Sequence, residues 1–306
     1  MTALKKIRFI YGATMGFKIV VMVKQVPDTH HISGEAMKSD GTVNRAALPA
    51  VFNPDDLHAL EAALSIKDNH PDTIITVISM GPPGAIMVLK DALYRGADTG
   101  ILVSDRRFAG ADTLATSYVL KCVIEKIGKY DLVFCGRQAI DGDTAQVGPQ
   151  TAEKLGINQI TYVTEIIRID ETSIQARRGV DDGYEVVSSP LPVLMSFTNE
   201  GYFPRPASAK RMMAYKHADF SNIEQNYDQS YLNSERDSKH KKCDILLWNM
   251  DAVGADPQKC GLAGSPTKVK KVNSVVLKSA DIKFIDNNDD AIHNLIQELI
   301  NDHTIS

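Results

Sequence analysis

From Lys18 onward the chain alternates short, continuously apolar runs with longer stretches whose apolar positions recur every three or four residues. Side chains repeat every two residues along a strand and about every 3.6 along a helix, so the first kind reads as buried strands and the second as helices packed on them. Lys18–Lys24 predicts the first strand. Asn53-Pro54 predicts a helix start, with Asn free to cap open amides and Pro suited to the first turn; Leu57, Leu60, Glu61 and Leu64 continue it. Thr73–Ser79 predicts a strand that stops at Met80, Gly81 and two prolines, after which Ile86, Leu89, Lys90 and Leu93 resume helical spacing. Gly100–Val103, a helix from near Asp112, and the strand Tyr130–Cys135 repeat the unit. This order predicts an α/β fold: a mainly parallel sheet with helices on both faces.

Beyond Gly156 the runs shorten, to Thr161–Ile169, Ser173–Arg178, Tyr184–Ser188 and Pro192–Phe197, with a turn at Asp181–Gly183. They read as an antiparallel addition. His217–Lys242 is polar and poor in aliphatics, which predicts an arm and not a third core. Ile292, Leu295, Ile296, Leu299 and Ile300 fall on one face of a terminal helix, and a helix so short needs a surface to dock on. The expected organisation is an N-terminal extension (1–16), an α/β nucleotide-binding domain (17–216) and a C-terminal arm with its helix (217–306).

Composition narrows the function. A net charge of −4 argues against nucleic acid as a partner, since phosphate binding leans on uncompensated Lys and Arg. The longest apolar run near the N-terminus, Ile19–Val23, falls far short of the roughly 20 residues of a membrane span, and Met1–Gly16 lacks the pattern of a signal peptide. Cys122, Cys135, Cys243 and Cys260 are widely spaced, with no CxxC pair, which fits reduced thiols in a cytoplasm and no cysteine metal site. His30 and His31 have no carboxylate or cysteine at ligand spacing and read as surface residues; Arg236–Lys242 reads as solvated surface.

The candidate chemistry lies where Tyr130–Cys135 runs into Gly136-Arg137-Gln138-Ala139-Ile140-Asp141-Gly142-Asp143-Thr144-Ala145-Gln146-Val147-Gly148-Pro149 and a following helix. Ligands of open α/β sheets sit at such strand ends. The glycines allow tight backbone paths, and amides around Thr144–Val147 at a helix start would stabilise a phosphate. Asp141 and Asp143 would repel a phosphate directly, so they are assigned ribose, ribityl or loop-closing roles. A well-capped turn is the plain alternative. The spacing fits neither a Walker loop nor GxGxxG, so the residues alone give a nucleotide or phosphate site.

The same segment resembles the β-subunit family of electron-transfer flavoproteins, whose G-(K/R)-Q-A-I-D-x-D core is intact here. Val23–Asp28, Asn53-Pro54, Ser79–Pro82, Arg95–Asp98, Arg177–Glu185 and Gly264–Val269 resemble further family motifs, so the likeness spans residues 17–272. It implies a three-layer, Rossmann-like sheet of the adenine nucleotide α-hydrolase type, with an arm and terminal helix docking on a partner subunit. The implied nucleotide contacts are Met22, Asn53, Asp56, Met80, Gly81 and Gly136–Val147. Gly110–Thr116 resembles the electron-bifurcating members, where threonines at this helix start, here Thr113 and Thr116, contact FAD; simple capping is the alternative for both.

The resemblance implies a cytoplasmic subunit holding FAD that takes hydride from NADH. The partners implied are an α subunit with its own FAD, a flavin-dependent dehydrogenase and a low-potential acceptor, ferredoxin or flavodoxin. The housekeeping form, with structural AMP and an acyl-CoA dehydrogenase partner, is the first alternative. A stand-alone ATP-binding or ATP-hydrolysing protein is the second. Where family members place an anchoring leucine for acyl-CoA dehydrogenases, this chain reads Asn199–Met213 without one, which leaves room for another partner such as an FAD-linked lactate dehydrogenase. Phe203, Met212 and Met213 would then form a docking surface or pack on the chain's own core.

Overall fold

The computed structural model describes residues 16–28, 49–219, 245–267 and 284–301. Nine strands form one sheet, in the order β11-β5-β4-β1-β6-β10-β7-β8-β9. These are β1 (Lys18–Met22), β4 (Ile74–Met80), β5 (Thr99–Val103), β6 (Leu132–Gly136), β7 (Asn158–Ile169), β8 (Ser173–Val180), β9 (Gly183–Pro190), β10 (Val193–Phe197) and β11 (Leu246–Trp248). Two short strands, β2 (Gln25–Pro27) and β3 (Ala50–Phe52), pair separately. The run from β11 to β7 is parallel; β8 pairs antiparallel with β7 and with β9, and β2 pairs antiparallel with β3.

Period-2 alternation explains the layers. Ile19, Val21, Ile75, Val77, Leu132 and Phe134 point to one face, beneath α1 (Pro54–Asn69) and α2 (Ile86–Arg95). Val20, Met22, Ile78, Ile101, Val133 and Cys135 point to the other, beneath α3 (Thr113–Ile127) and α4 (Val147–Leu155). The parallel strands bury both faces, so their sequences read as continuous apolar runs.

Chain order misled the reading of one strand. Pro192–Phe197 was expected in the antiparallel addition, but β10 lies between β6 and β7, parallel to both. All five of its residues are buried, and a two-faced core position suits a run with no polar alternation. Its last residue, Phe197, meets Phe134, with ring centroids 4.7 Å apart, and Tyr202 at 5.7 Å. Arg205 then clasps Glu61 on α1 through Nε and Nη2, at 2.8–3.0 Å, and Asp68 at 2.7 Å. A seven-residue helix α5 (Ala209–Tyr215) follows, with Arg211 Nε donating to the Leu93 carbonyl at 2.6 Å. Phe203 (78% exposed) and Met213 (75%) are left facing solvent, so they do not pack on the core; Met212 is less exposed, at 45%.

Residues 245–267 return to the sheet through β11, which pairs with β5. The final helix α6 (Asp289–Asn301) buries none of its residues. Most of the polar stretch 217–242, with its basic run Arg236–Lys242, most of the N-terminal extension, His30 and His31 lie outside the described residues. No described helix is long and apolar enough to cross a membrane.

Candidate functional site

Strand order fixes where a crevice opens. The chain leaves β1 for β4 and β5 on one side and returns to β6 on the other, so the loops after β1 and β6 diverge at the carboxyl edge. Such a switch point leaves a gap between neighbouring strand ends. Here it holds a cavity of about 660 Å³, lined from the end of β1 by Met22 and Lys24, from β4 by Met80 and Gly81, from the loop after β5 by Ser104, Asp105, Arg106 and Phe108, and from the β6 loop. That volume is in the range of small-molecule and cofactor sites.

Of the residues expected to touch a nucleotide, Met22, Asp56, Met80, Gly81, Thr113, Thr116, Gly136, Arg137, Gln138, Ala139, Gly142, Asp143, Thr144, Ala145 and Val147 line this cavity. Asn53, Ile140, Asp141 and Gln146 do not line it; three of these stand behind the loop and hold its shape. Asn53 is completely buried, and its side chain makes no cap to α1. Its amide is diverted: Nδ2 donates to the Gln138 carbonyl at 2.8 Å and Oδ1 accepts from the Ile140 amide at 3.2 Å. Asp141 takes the loop-closing role, receiving Lys24 Nζ at 2.7 Å. Gln146 Oε1 accepts the Thr113 hydroxyl at 2.9 Å, and Gln150 Nε2 reaches the same hydroxyl at 3.3 Å, so the starts of α3 and α4 are laced together.

Asp56 spans the switch point. Its Oδ2 accepts the Lys24 amide at 2.8 Å and its Oδ1 the Gly136 amide at 2.9 Å, tying the ends of β1 and β6. Burial penalises its charge more than these bonds and Asn53 favour it, and its pKa is pushed up to about 7. A Cβ on Gly136 would stand 2.5 Å from this carboxylate, which explains the glycine. Next to it, burial also raises Asp55, against the pull of Arg137. Arg137 Nε and Asp55 Oδ2 are 3.4 Å apart, and neither has a hydrogen-bond partner.

The loop is strained where it turns toward α4. Asp143 and Ala145 have φ of 49° and 53°. An L-residue there costs roughly 1–2 kcal/mol, and such residues gather at binding sites. Asp143 is partly compensated by Gln138 Nε2, at 2.9 Å. Ala145→Gly should therefore leave the fold neutral or more stable by up to about 1 kcal/mol, the reverse of the usual cost of glycine. A denaturant midpoint checks this; a clear drop would mean that the Ala145 methyl supports the loop by packing.

The two helix starts differ in chemistry. Asp112 caps α3, its Oδ1 accepting the Ala115 amide at 3.0 Å and its Oδ2 the Thr267 amide at 3.2 Å. Those contacts outweigh burial and hold the carboxyl below its usual range. A phosphate would meet this charge, which leaves the cavity-lining Thr113 and Thr116 hydroxyls as the neutral polar groups at this helix start. The start of α4 carries no side-chain cap, with Val147 and Gly148 at the cavity wall. It is the better anion seat.

Sequence reasoning missed Lys24, Ser104, Asp105, Arg106 and Phe108, all of which line the cavity. It also missed the buttress behind them: Ser265 Oγ accepts the Asp112 amide at 2.9 Å, and Asp105 accepts the Met250 amide at 3.1 Å. The rule that ligands gather at parallel strand ends pointed to the loop after β5 as well as to that after β6. No cluster of His, Cys, Asp and Glu among the described residues could hold a metal ion.

Comparison with known proteins shows the family. Residues 40–223 match the model of the electron transfer flavoprotein domain. The electron transfer flavoprotein subunit beta of Clostridium acetobutylicum is 44% identical over 260 residues, covering 85% of this chain and 89% of that protein. The caffeyl-CoA reductase-Etf complex subunit CarD of Acetobacterium woodii is 42% identical over 252 residues, covering 82% and 86%. The acryloyl-CoA reductase electron transfer subunit gamma of Anaerotignum propionicum is 36% identical over 291 residues, covering 94% and 100%. With a matched domain over more than half its length and relatives aligned nearly end to end, the chain belongs to the electron transfer flavoprotein family, beside its β subunits.

Proposed function

We propose that this chain is the β subunit of an electron-bifurcating flavoprotein and holds FAD in the switch-point cavity. The observation that carries this reading is the extent of the cavity, which reaches from the uncapped start of α4 across to Thr113 and Thr116 on α3. AMP, the smaller part of FAD, would need only one end of it. Bound there, FAD would supply the redox chemistry, accepting hydride from NADH and passing electrons onward.

The chain's own residues would bind and orient. The α4 start would take a phosphate, with the strained Asp143–Ala145 backbone already set in its bound form, so that little ordering cost remains. Asp143 would accept from a ribose or ribityl hydroxyl. Met22, Met80, Val103, Phe108 and Leu120 would exclude water from the rings. Asn53 and Asp56 would fix the loop without touching the ligand's reacting atoms.

The exposed stripe of Ile292, Ile296 and Ile300 on α6, each 41–43% exposed, supports a partner-dependent subunit, because a 13-residue helix is marginal alone. Pairing would be with an α subunit carrying its own FAD, and ferredoxin or flavodoxin would be the low-potential acceptor. Two of the relatives are named for CoA-ester reductases, which favours an acyl-CoA-type flavin dehydrogenase as third partner over the lactate type. In the purified heterodimer, extraction should yield two FAD per αβ pair; one FAD with one AMP would instead establish the housekeeping form.

A further inference from the structure

Three cations line the cavity, and their surroundings differ. Lys24 is committed to Asp141 at 2.7 Å, and Arg137 faces Asp55 at 3.4 Å. Arg106 has no carboxylate within ion-pair distance among the described residues, and it is exposed at the cavity wall. Its neighbour has a different task. Arg107 is locked into Asp105 at 2.7 Å and Asp251 at 2.8 Å, pointing its charge away into a structural clamp.

The backbone under Arg106 is firmly set. Asp105 caps the short 3₁₀ turn Arg106–Phe108 by accepting the Arg107 amide at 2.9 Å, and Phe108 is buried as its anchor. Asp105 also accepts the Met250 amide at 3.1 Å, joining the turn to the segment after β11. The protein thus holds one uncommitted guanidinium over a cavity whose α4 end offers amides to a single phosphate.

We propose that Arg106 is a specificity-determining residue that receives the second phosphate of a diphosphate-bridged ligand and so selects a dinucleotide over AMP. The assignment rests on the FAD reading above. A planar guanidinium can take two oxygens of one phosphate at once, which an ammonium cannot, and the α3 start already holds the Asp112 carboxylate on its Ala115 amide.

The test uses the heterodimer stripped of its β-site nucleotide, with FAD, ADP and AMP as probes in titrations of unaltered protein, Arg106→Ala and Arg106→Lys. Arg106→Ala should weaken FAD and ADP by roughly tenfold to a hundredfold while changing AMP by less than about threefold. Arg106→Lys should fall between, and both variants should keep the melting temperature, since the side chain is exposed. Equal losses for AMP and ADP, or unchanged FAD affinity with a raised KM for NADH, would overturn the assignment while leaving FAD binding intact. An unaltered protein that takes AMP and refuses FAD would overturn both.

Discussion

Asn53→Ala should give a folded protein with a disorganised nucleotide loop. The variant removes an amide that is completely buried and serves two backbone groups, the Gln138 carbonyl at 2.8 Å and the Ile140 amide at 3.2 Å. Leaving a buried polar group unpaired costs about 1–3 kcal/mol, so the pair implies a loss of roughly 2–6 kcal/mol if the loop stays and less if it escapes to water. Escape is the easier course. Helix α1 keeps Pro54, Asp55 and Asp56 in its first turn and needs no side-chain cap, so the core should survive while nucleotide affinity falls by roughly a hundredfold. Calorimetric melting with and without nucleotide checks this: stabilisation by the ligand should nearly vanish in the variant. Asn53→Asp should lose less, because it keeps the acceptor for Ile140.

The second large effect is a pH dependence at Asp56. Its folded-state pKa, about 7, lies above the ordinary 3.8, so the folded protein binds a proton that the unfolded chain has released in between. The stabilisation is therefore complete below about pH 4, declines as pH rises, and is gone above about 7. The rise from 3.8 to about 7 corresponds to at most about 4 kcal/mol. Asp105 and Asp112, held low by their hydrogen bonds, act with the opposite sign: their contribution is present at neutral pH and lost only below about 4. The difference between unaltered protein and Asp56→Asn isolates the site. Asn offers one oxygen to the two amides of Lys24 and Gly136, so the variant should be less stable throughout, yet lack the decline between pH 4 and 7. Denaturant curves across that interval give both quantities; parallel curves would mean that Asp56 stays ionised.

These residues show what a sequence can and cannot tell. The strands were legible because parallel strands buried on both faces must be continuously apolar, as in Val20-Val21 and Leu132–Cys135. The β6 loop was legible from its glycines and its strand-end position. Spatial order was not: nothing in Val193–Phe197 says that it enters between β6 and β7, since that depends on which neighbours remain unpaired. The division of labour within the loop was equally hidden. Asn53 looked like a helix cap because Asn-Pro commonly is one, and only the approach of Gln138 and Ile140 from 85 and 87 residues away redirects its amide. Contacts over such separations leave no local periodicity to read.

The proposed function turns on a diphosphate-bridged flavin lying along the switch-point crevice. A structure of the αβ heterodimer determined with FAD present tests it most directly. One phosphate should lie against the Val147 and Gly148 amides, with the second within reach of Arg106 and the Thr113 and Thr116 hydroxyls. A crevice closed by the chain's own side chains, or AMP alone at the start of α4, would contradict it.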